Sequence, residues 1–284
     1  MKLATWNVNS LSVRLPQVLD WLAAQQASGA PVDVLALQEL KMTDDKFPIA
    51  AVEAAGYQAQ WFGQKTYNGV ALLSRTVGSD VVKNIPGFDD DMARVLCASY
   101  PSALGTDNGD EIDSGTHSAA QREAAQAVRV IGAYFPNGQE PGSDKFEYKM
   151  EWLTALRRWV KDELSRHPRL VLMGDYNITF DDLDVWDPVG LRDTIHCTEE
   201  ERYHLRALIA LGLHDSLRLF AQPPKSYSWW DYRDFGFRRN RGMRIDHILV
   251  SNALKPLVTG CHIDKTPRQN VRPSDHAPVV VTLA

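Results

Sequence analysis

Residues 270–284, the last of the chain, read NVRPSDHAPVVVTLA. The run VVVTLA is rich in β-branched residues and nearly continuous in its apolar character, as expected of a strand covered on both faces. Directly before it stand Ser274, Asp275 and His276. A carboxylate and an imidazole at the mouth of a buried strand cost stability unless something compensates for their desolvation. The same pattern recurs: LATW is followed by Asn7 and Asn9, VLALQ by Glu39, and RLVLMG by Asp175 and Asn177, while Asp246 interrupts RIDHILV. Taken singly, each has an ordinary reading, as a turn former, a helix cap or a solvated acid. Taken together, polar strand ends aimed at one rim are the arrangement in which α/β enzymes gather their chemistry.

Working outward, strand-like runs alternate with helical ones. RLPQVLDWLAAQQ carries Leu15, Val18, Leu19 and Leu22 at helical spacing, and a long amphipathic helix is expected over residues 145–166. Further strands are expected in YQAQWF, GVALLSR and RLVLMGDYN, and over residues 94–100, 128–135, 227–230, 244–250 and 279–283. This alternation gives an α/β fold with two sheets in a single domain spanning residues 1–284. One stretch departs from it: residues 102–126, SALGTDNGDEIDSGTHSAAQREAAQ, hold little large apolar surface and are expected to form a flexible inserted loop.

Composition bounds the function. In 284 residues, 44% hydrophobic content supplies a sizeable core, and a net charge of −5 puts any contact with a polyanion on local basic patches. The three cysteines are scattered and never spaced as CxxC, against both a disulfide framework and a zinc knuckle. With no apolar stretch long enough for a membrane span and no secretory leader, the chain reads as cytoplasmic and without a membrane partner. Phosphate-loop, dinucleotide and GxSxG signatures are absent from their required contexts. The remaining inventory of hard oxygen donors with an Asp-His pair suits Mg²⁺, with Mn²⁺ as a substitute, and hydrolysis of a phosphate ester. SWWDYRDFGFRRNRGMR, residues 228–244, interleaves five aromatic residues with five arginines and offers stacking surfaces beside cations for a nucleic acid.

The ordered blocks WNVNSLSVRLPQV, LALQELK, GQKTYNGVALLSR, GAYFPNG, GDYNI, SWWDYR, RGMRIDHILVS and PSDHAPV resemble the exonuclease III family of DNA repair nucleases, within the endonuclease/exonuclease/phosphatase superfamily, over almost the whole chain. The resemblance implies a four-layer α/β sandwich of two packed mixed β-sheets flanked by helices. It implies Glu39 as the principal Mg²⁺ ligand, assisted by Asn7 and Asn9, with Asp275 near a second metal position. Asp175 and Asn177 would position or activate the attacking water, His276 oriented by Asp246 would meet the scissile phosphate, and Tyr134 would reach the same group. Trp229 would pack against the lesion, with Trp230, Arg233 and Arg244 in the DNA surface. His196 of IHCTEEER stands where many abasic-site enzymes of the family carry a small residue. Processing of damaged or blocked 3′ ends of double-stranded DNA, by a monomer, is therefore ranked ahead of abasic-site incision, and a phosphatase of the same superfamily acting on another substrate is the further alternative.

Overall fold

A computed structural model describes residues 1–104 and 126–284 of the chain. Almost the whole of the expected insertion at 102–126 lies outside the described residues. Four helices concern the site: α1 (Leu11–Ala27), α2 (Ile49–Ala54), α3 (Asp144–Arg166) and α4 (Glu199–Ile209). In chain order the strands are β1 (Lys2–Asn7), β2 (Val34–Gln38), β3 (Gln58–Phe62), β4 (Val70–Ser74), β5 (Ser79–Lys83), β6 (Val95–Tyr100), β7 (Val128–Tyr134), β8 (Leu170–Asp175), β9 (Leu213–Asp215), β10 (Trp229–Trp230), β11 (Gly242–Met243), β12 (Asp246–Ser251), β13 (Val258–Ile263) and β14 (Val279–Leu283).

Two six-stranded sheets result, ordered β13-β14-β1-β2-β4-β3 and β5-β6-β7-β8-β12-β9, with β10 and β11 as a separate ribbon. Each large sheet contains one parallel pair, β1–β2 in the first and β7–β8 in the second, among antiparallel neighbours. The continuous apolar strands follow from burial on both faces. Val34 and Ala36 point into the layer shared with Val130, Val171 and Met173 of the other sheet, whereas Leu35 and Leu37 pack outward with Leu11, Val18 and Leu22 of α1 and Val52 of α2. On the opposite side Trp152, Leu153, Leu156 and Val160 of α3 and Leu205 and Leu208 of α4 cover Ile131, Ala133 and Leu172. The order helices, sheet, sheet, helices is the expected four-layer sandwich. At Gly132 the two sheets press so closely that a β-carbon would lie 3.0 Å from Leu72 and 3.1 Å from Ala36.

Helix α3 starts one residue before the expected position, with Ser143 accepting from the Phe146 amide and acids in its first turn. Strands β5, β9, β13 and the short β11 and helix α4 do not stand out in the sequence. The last of these still carries a start signal: Thr198 and Glu201 form a complete capping box. The residues expected to be one strand over 227–230 contribute only Trp229 and Trp230 to a ribbon.

Candidate active site

Asn7 ends β1, Glu39 follows β2, Tyr134 ends β7 and Asp175 ends β8. Asp246 and His276 come to the same rim from the opposite direction, Asp246 as the first residue of β12 and His276 just before β14. Both precede their strands, as the sequence already shows for His276, because β12 and β14 run antiparallel to their neighbours β8 and β1. Asp246 pairs directly with Asp175 across the ladder.

The side chains form a connected line. Asn7 Nδ2 donates to Glu39 Oε1 and to Asp175 Oδ2, both at 2.8 Å. His276 Nε2 lies 3.8 Å from Asp175 Oδ2, and its Nδ1 donates to Asp246 Oδ2 at 2.9 Å. Ser228 Oγ then donates to Asp246 Oδ2 at 2.6 Å. Ligand atoms of Glu39, Asp175 and His276 all lie within 4.8 Å of one another.

Burial and charge set the protonation states. For Asp175, burial first and then the Asp246 and Glu39 carboxylates lift the carboxyl to about 7, against the opposing pull of His276 and Asn7. Burial alone would push the His276 imidazole down, but Asp246 and Asp175 outweigh it and raise it to about 10, so the ring is an imidazolium at neutral pH. The Tyr134 phenol is held well above its usual value by burial and by Glu39 and Asp175, and stays protonated.

The other sequence-named residues fall around this line. Asn7 Oδ1 accepts from the Asn9 amide, which fixes the orientation of the Asn7 side chain and turns its Nδ2 to the carboxylates. Asn9 accepts from Lys41 Nζ and donates to Asp275 Oδ1, and Trp229 Nε1 takes the other Asp275 oxygen at 3.0 Å. The oxygens of Asn7, Asn9 and Asp275 have partners within the chain, as do those of Glu39 and Asp175, and Glu39 and Asp175 are the carboxylates that converge with His276. Hard carboxylate oxygens gathered in this way fit a hard divalent cation. Asn177, with φ 50°, donates its backbone N–H to the Asp175 carboxylate and its Nδ2 to Phe135 O. His196, at φ 73°, is almost fully buried and its Nδ1 donates to Asn177 O at 2.6 Å. Burial and the Lys149 ammonium push its imidazole down to about 4.

Two expected DNA contacts are corrected. Trp230 is 0% exposed and packs with Tyr227 and Ala277, because its side chain points to the opposite face from Trp229 along β10. Arg244 is 1% exposed and is held by Asp184 and Asp215, so its charge is spent inside the fold. Trp229 and Arg233, by contrast, line one cavity of about 310 Å³ with Trp186, Leu191 and Arg241. The Arg233 side chain pairs with Asp231 at 2.6 Å but is 85% exposed, unlike the enclosed Arg244, and Tyr232 and Phe235 are the exposed aromatic residues of that segment. A bridge between Trp229 and His276 ties this surface to the catalytic rim.

Sequence reasoning missed Lys41, which pairs with Glu39 Oε2 at 2.9 Å, and Ser228. It also missed Lys149 and Glu201, an ion pair of 2.5 Å with both side chains 0% exposed. For Lys149 a signal existed: it shares one helical face with Phe146, Trp152, Leu153 and Leu156, where a lysine is out of place unless paired.

Fold and site together define a phosphoesterase, and the sequence signature of the Endonuclease/Exonuclease/phosphatase family matches residues 4–276. The chain belongs to that family, among its exonuclease III-like members, and is a DNA-hydrolysing enzyme of a metal-dependent class. Exodeoxyribonuclease III of Haemophilus influenzae is 32% identical over 98% of each chain. DNA repair nuclease APEX1 of Danio rerio is 28% identical, covering 100% of this chain and 82% of that one. Among solved structures, the 3′-5′ exonuclease NExo of Neisseria meningitidis superposes with a TM-score of 0.87 at 44% identity over 100% of this chain and 99% of that one. An AP endonuclease from Archaeoglobus fulgidus gives 0.85 at 29% identity with the same coverage. No helix among the described residues is long and apolar enough to cross a membrane.

Proposed function

We propose that this chain is a Mg²⁺-dependent DNA repair phosphodiesterase that works as a monomer in the cytoplasm and removes nucleotides or blocking groups from 3′ ends of duplex DNA, with abasic-site incision secondary. The observation that carries the chemistry is the line Ser228–Asp246–His276–Asp175–Asn7–Glu39. Asp175, poised near neutrality, accepts the proton of the attacking water, with Asn177 beside it. The His276 imidazolium, kept charged by Asp246, stabilises the negative charge that builds on the phosphoryl oxygens, and the protonated Tyr134 hydroxyl adds a donor. Glu39 would lead in holding the Mg²⁺, leaving Asp175 to take the water's proton, and the ion's chemistry when bound is to neutralise charge on the phosphate and leaving oxygen. Trp229 and Arg233 in their shared cavity, with Tyr232 and Phe235 exposed nearby, supply stacking and cationic contacts for the DNA.

Preference for termini rests on His196. Its enclosed ring is fixed to the Asn177 carbonyl, and the family resemblance sets it where a small residue would leave an abasic sugar room to turn out of the helix. Neighbours described as a 3′-5′ exonuclease and as a 3′ phosphatase bound to a product DNA hairpin, each 44% identical, agree with that preference. The test compares 3′-phosphate, abasic and plain duplexes with Mg²⁺ and with chelator, for the parent and for His196→Gly. Glycine suits the positive φ of 73°. The parent should release 3′-phosphate faster than it incises, and the variant should gain incision by about tenfold, a barrier change of about 1.4 kcal/mol. Strong incision by the parent, or no gain in the variant, would refute the preference, and activity in chelator would refute the cation.

A further inference from the structure

Lys149 sits on α3 with its side chain wholly enclosed, and its three ammonium hydrogens have three acceptors: Glu201 Oε1 at 2.5 Å, Asn177 O at 2.8 Å and Asn137 O at 3.1 Å. Glu201, on α4, takes the His196 amide at 3.1 Å on Oε1, and on Oε2 the Thr198 amide at 3.1 Å and hydroxyl at 2.8 Å. The His196 ring returns to Asn177 O, and the His196 carbonyl receives both the amide and the hydroxyl of Thr179 at 2.8 Å. One ion pair therefore joins three separate rim segments, around Asn137, Asn177 and His196, from behind.

An enclosed ion pair is a poor source of stability, because desolvating both charges offsets their attraction, and a neutral replacement of similar volume is often as stable. What the pair does supply is direction. The Asn177 carbonyl is gripped by Lys149 and by His196, which fixes the turn whose backbone N–H donates to Asp175. The Asn137 carbonyl is drawn to the same ammonium, and the Asn137 side chain reaches Asn177 Oδ1 at 3.4 Å. We infer that the Lys149–Glu201 pair is a positioning element for the reaction, holding Asn177 and the His196 segment in register with Asp175. It touches no substrate. The inference rests on the reading of Asn177 as a site residue.

The experiment uses the full chain with three variants: Lys149→Met, Glu201→Gln and the two combined, since glutamine preserves the helix cap. Lys149→Met alone strands a buried carboxylate and should lower the unfolding temperature by several degrees or more. The combined variant should recover most of that loss. Its kcat on a 3′-phosphate duplex should nonetheless stay about 10- to 100-fold down with KM within about twofold, the signature of misplaced catalytic groups. Hydrogen exchange should quicken together at residues 135–139, 176–180 and 194–198, in the combined variant and, to a smaller extent, in Glu201→Gln. If kcat returns with stability, the pair is only structural and the inference fails. It fails equally if exchange changes in one segment alone, which Glu201→Gln reports even where the combined variant does not fold. Inactivity of the parent on every DNA would instead sink the proposed function, while the exchange result would still stand on its own.

Discussion

Replacing Asp175 by asparagine should make the metal-free protein more stable at alkaline pH while removing most of its activity. The Asp175 carboxyl is lifted from 3.8 to about 7, by burial first and then by Asp246 and Glu39. About three units at roughly 1.4 kcal/mol each amount to about 4 kcal/mol of preference for the protonated form. Because the folded value lies above the unfolded one, the native state holds this proton more tightly than the unfolded chain. Its contribution to stability is therefore complete below about pH 4 and is lost as pH climbs to about 7. Asparagine has no proton to lose, and its amide oxygen can still accept from Asn7 Nδ2 or from the Asn177 amide. Against this, His276 loses a carboxylate 3.8 Å from Nε2 that helps to keep it charged. Returning roughly half of the gain leaves about 2 kcal/mol in favour of the variant at about pH 8. Urea unfolding in chelator at about pH 4 and about pH 8 measures it, with the difference between the proteins near zero at the lower pH. A variant less stable than its parent at about pH 8, or a difference that ignores pH, would refute the account of the carboxylate cluster. In Mg²⁺ the same variant should lose about 10²-fold or more in kcat.

Two further outcomes follow from single contacts. Asp246→Asn takes away the principal charge that sustains the His276 imidazolium, so kcat should fall about 10- to 100-fold with KM within about twofold, and NMR titration of the His276 ring should show its pKa lowered. Gly174→Ala places a β-carbon 1.8 Å from the Ala133 carbonyl oxygen, a backbone atom that cannot swing aside. The variant should unfold at least about 10 °C lower or fail to fold, and a parental melting temperature would mean that β7 and β8 are spaced differently near the site.

The layers and the rim were legible because both sheets are covered on both faces, so their strands are written as unbroken apolar runs ending in Asn7, Glu39, Asp175 or Asn177. Three of the four edge strands, β5, β9 and β13, were not. Ser79–Lys83 and Val258–Ile263 lie at sheet margins, half in solvent, and carry too little apolar character to stand out. Trp230 and Arg244 were misread for another reason: composition marked a basic aromatic segment, but only strand alternation and the hidden acids Asp184 and Asp215 decide which members face solvent. The Lys149–Glu201 pair was hidden because its partners come from segments that meet only in the fold, although a lysine on an apolar helical face was visible.

Why six residues from all parts of the chain should meet at one point follows from strand direction. In each sheet the parallel pair, β1–β2 or β7–β8, brings two chain ends out at the same rim, and these deliver Asn7, Glu39, Tyr134 and Asp175. The strand beside each pair runs the other way and begins where its neighbours end, so β14 starts next to Asn7 and β12 starts opposite Asp175. A residue just before or at the start of those strands must arrive at the same rim, which places His276 and Asp246 there. The polar cluster ahead of VVVTLA is thus the antiparallel half of a site whose other half terminates the parallel strands. The cost of desolvating Asp246, His276 and Asp175 is offset by their pairing with one another, and that pairing is what sets an imidazolium beside a carboxyl of near-neutral pKa.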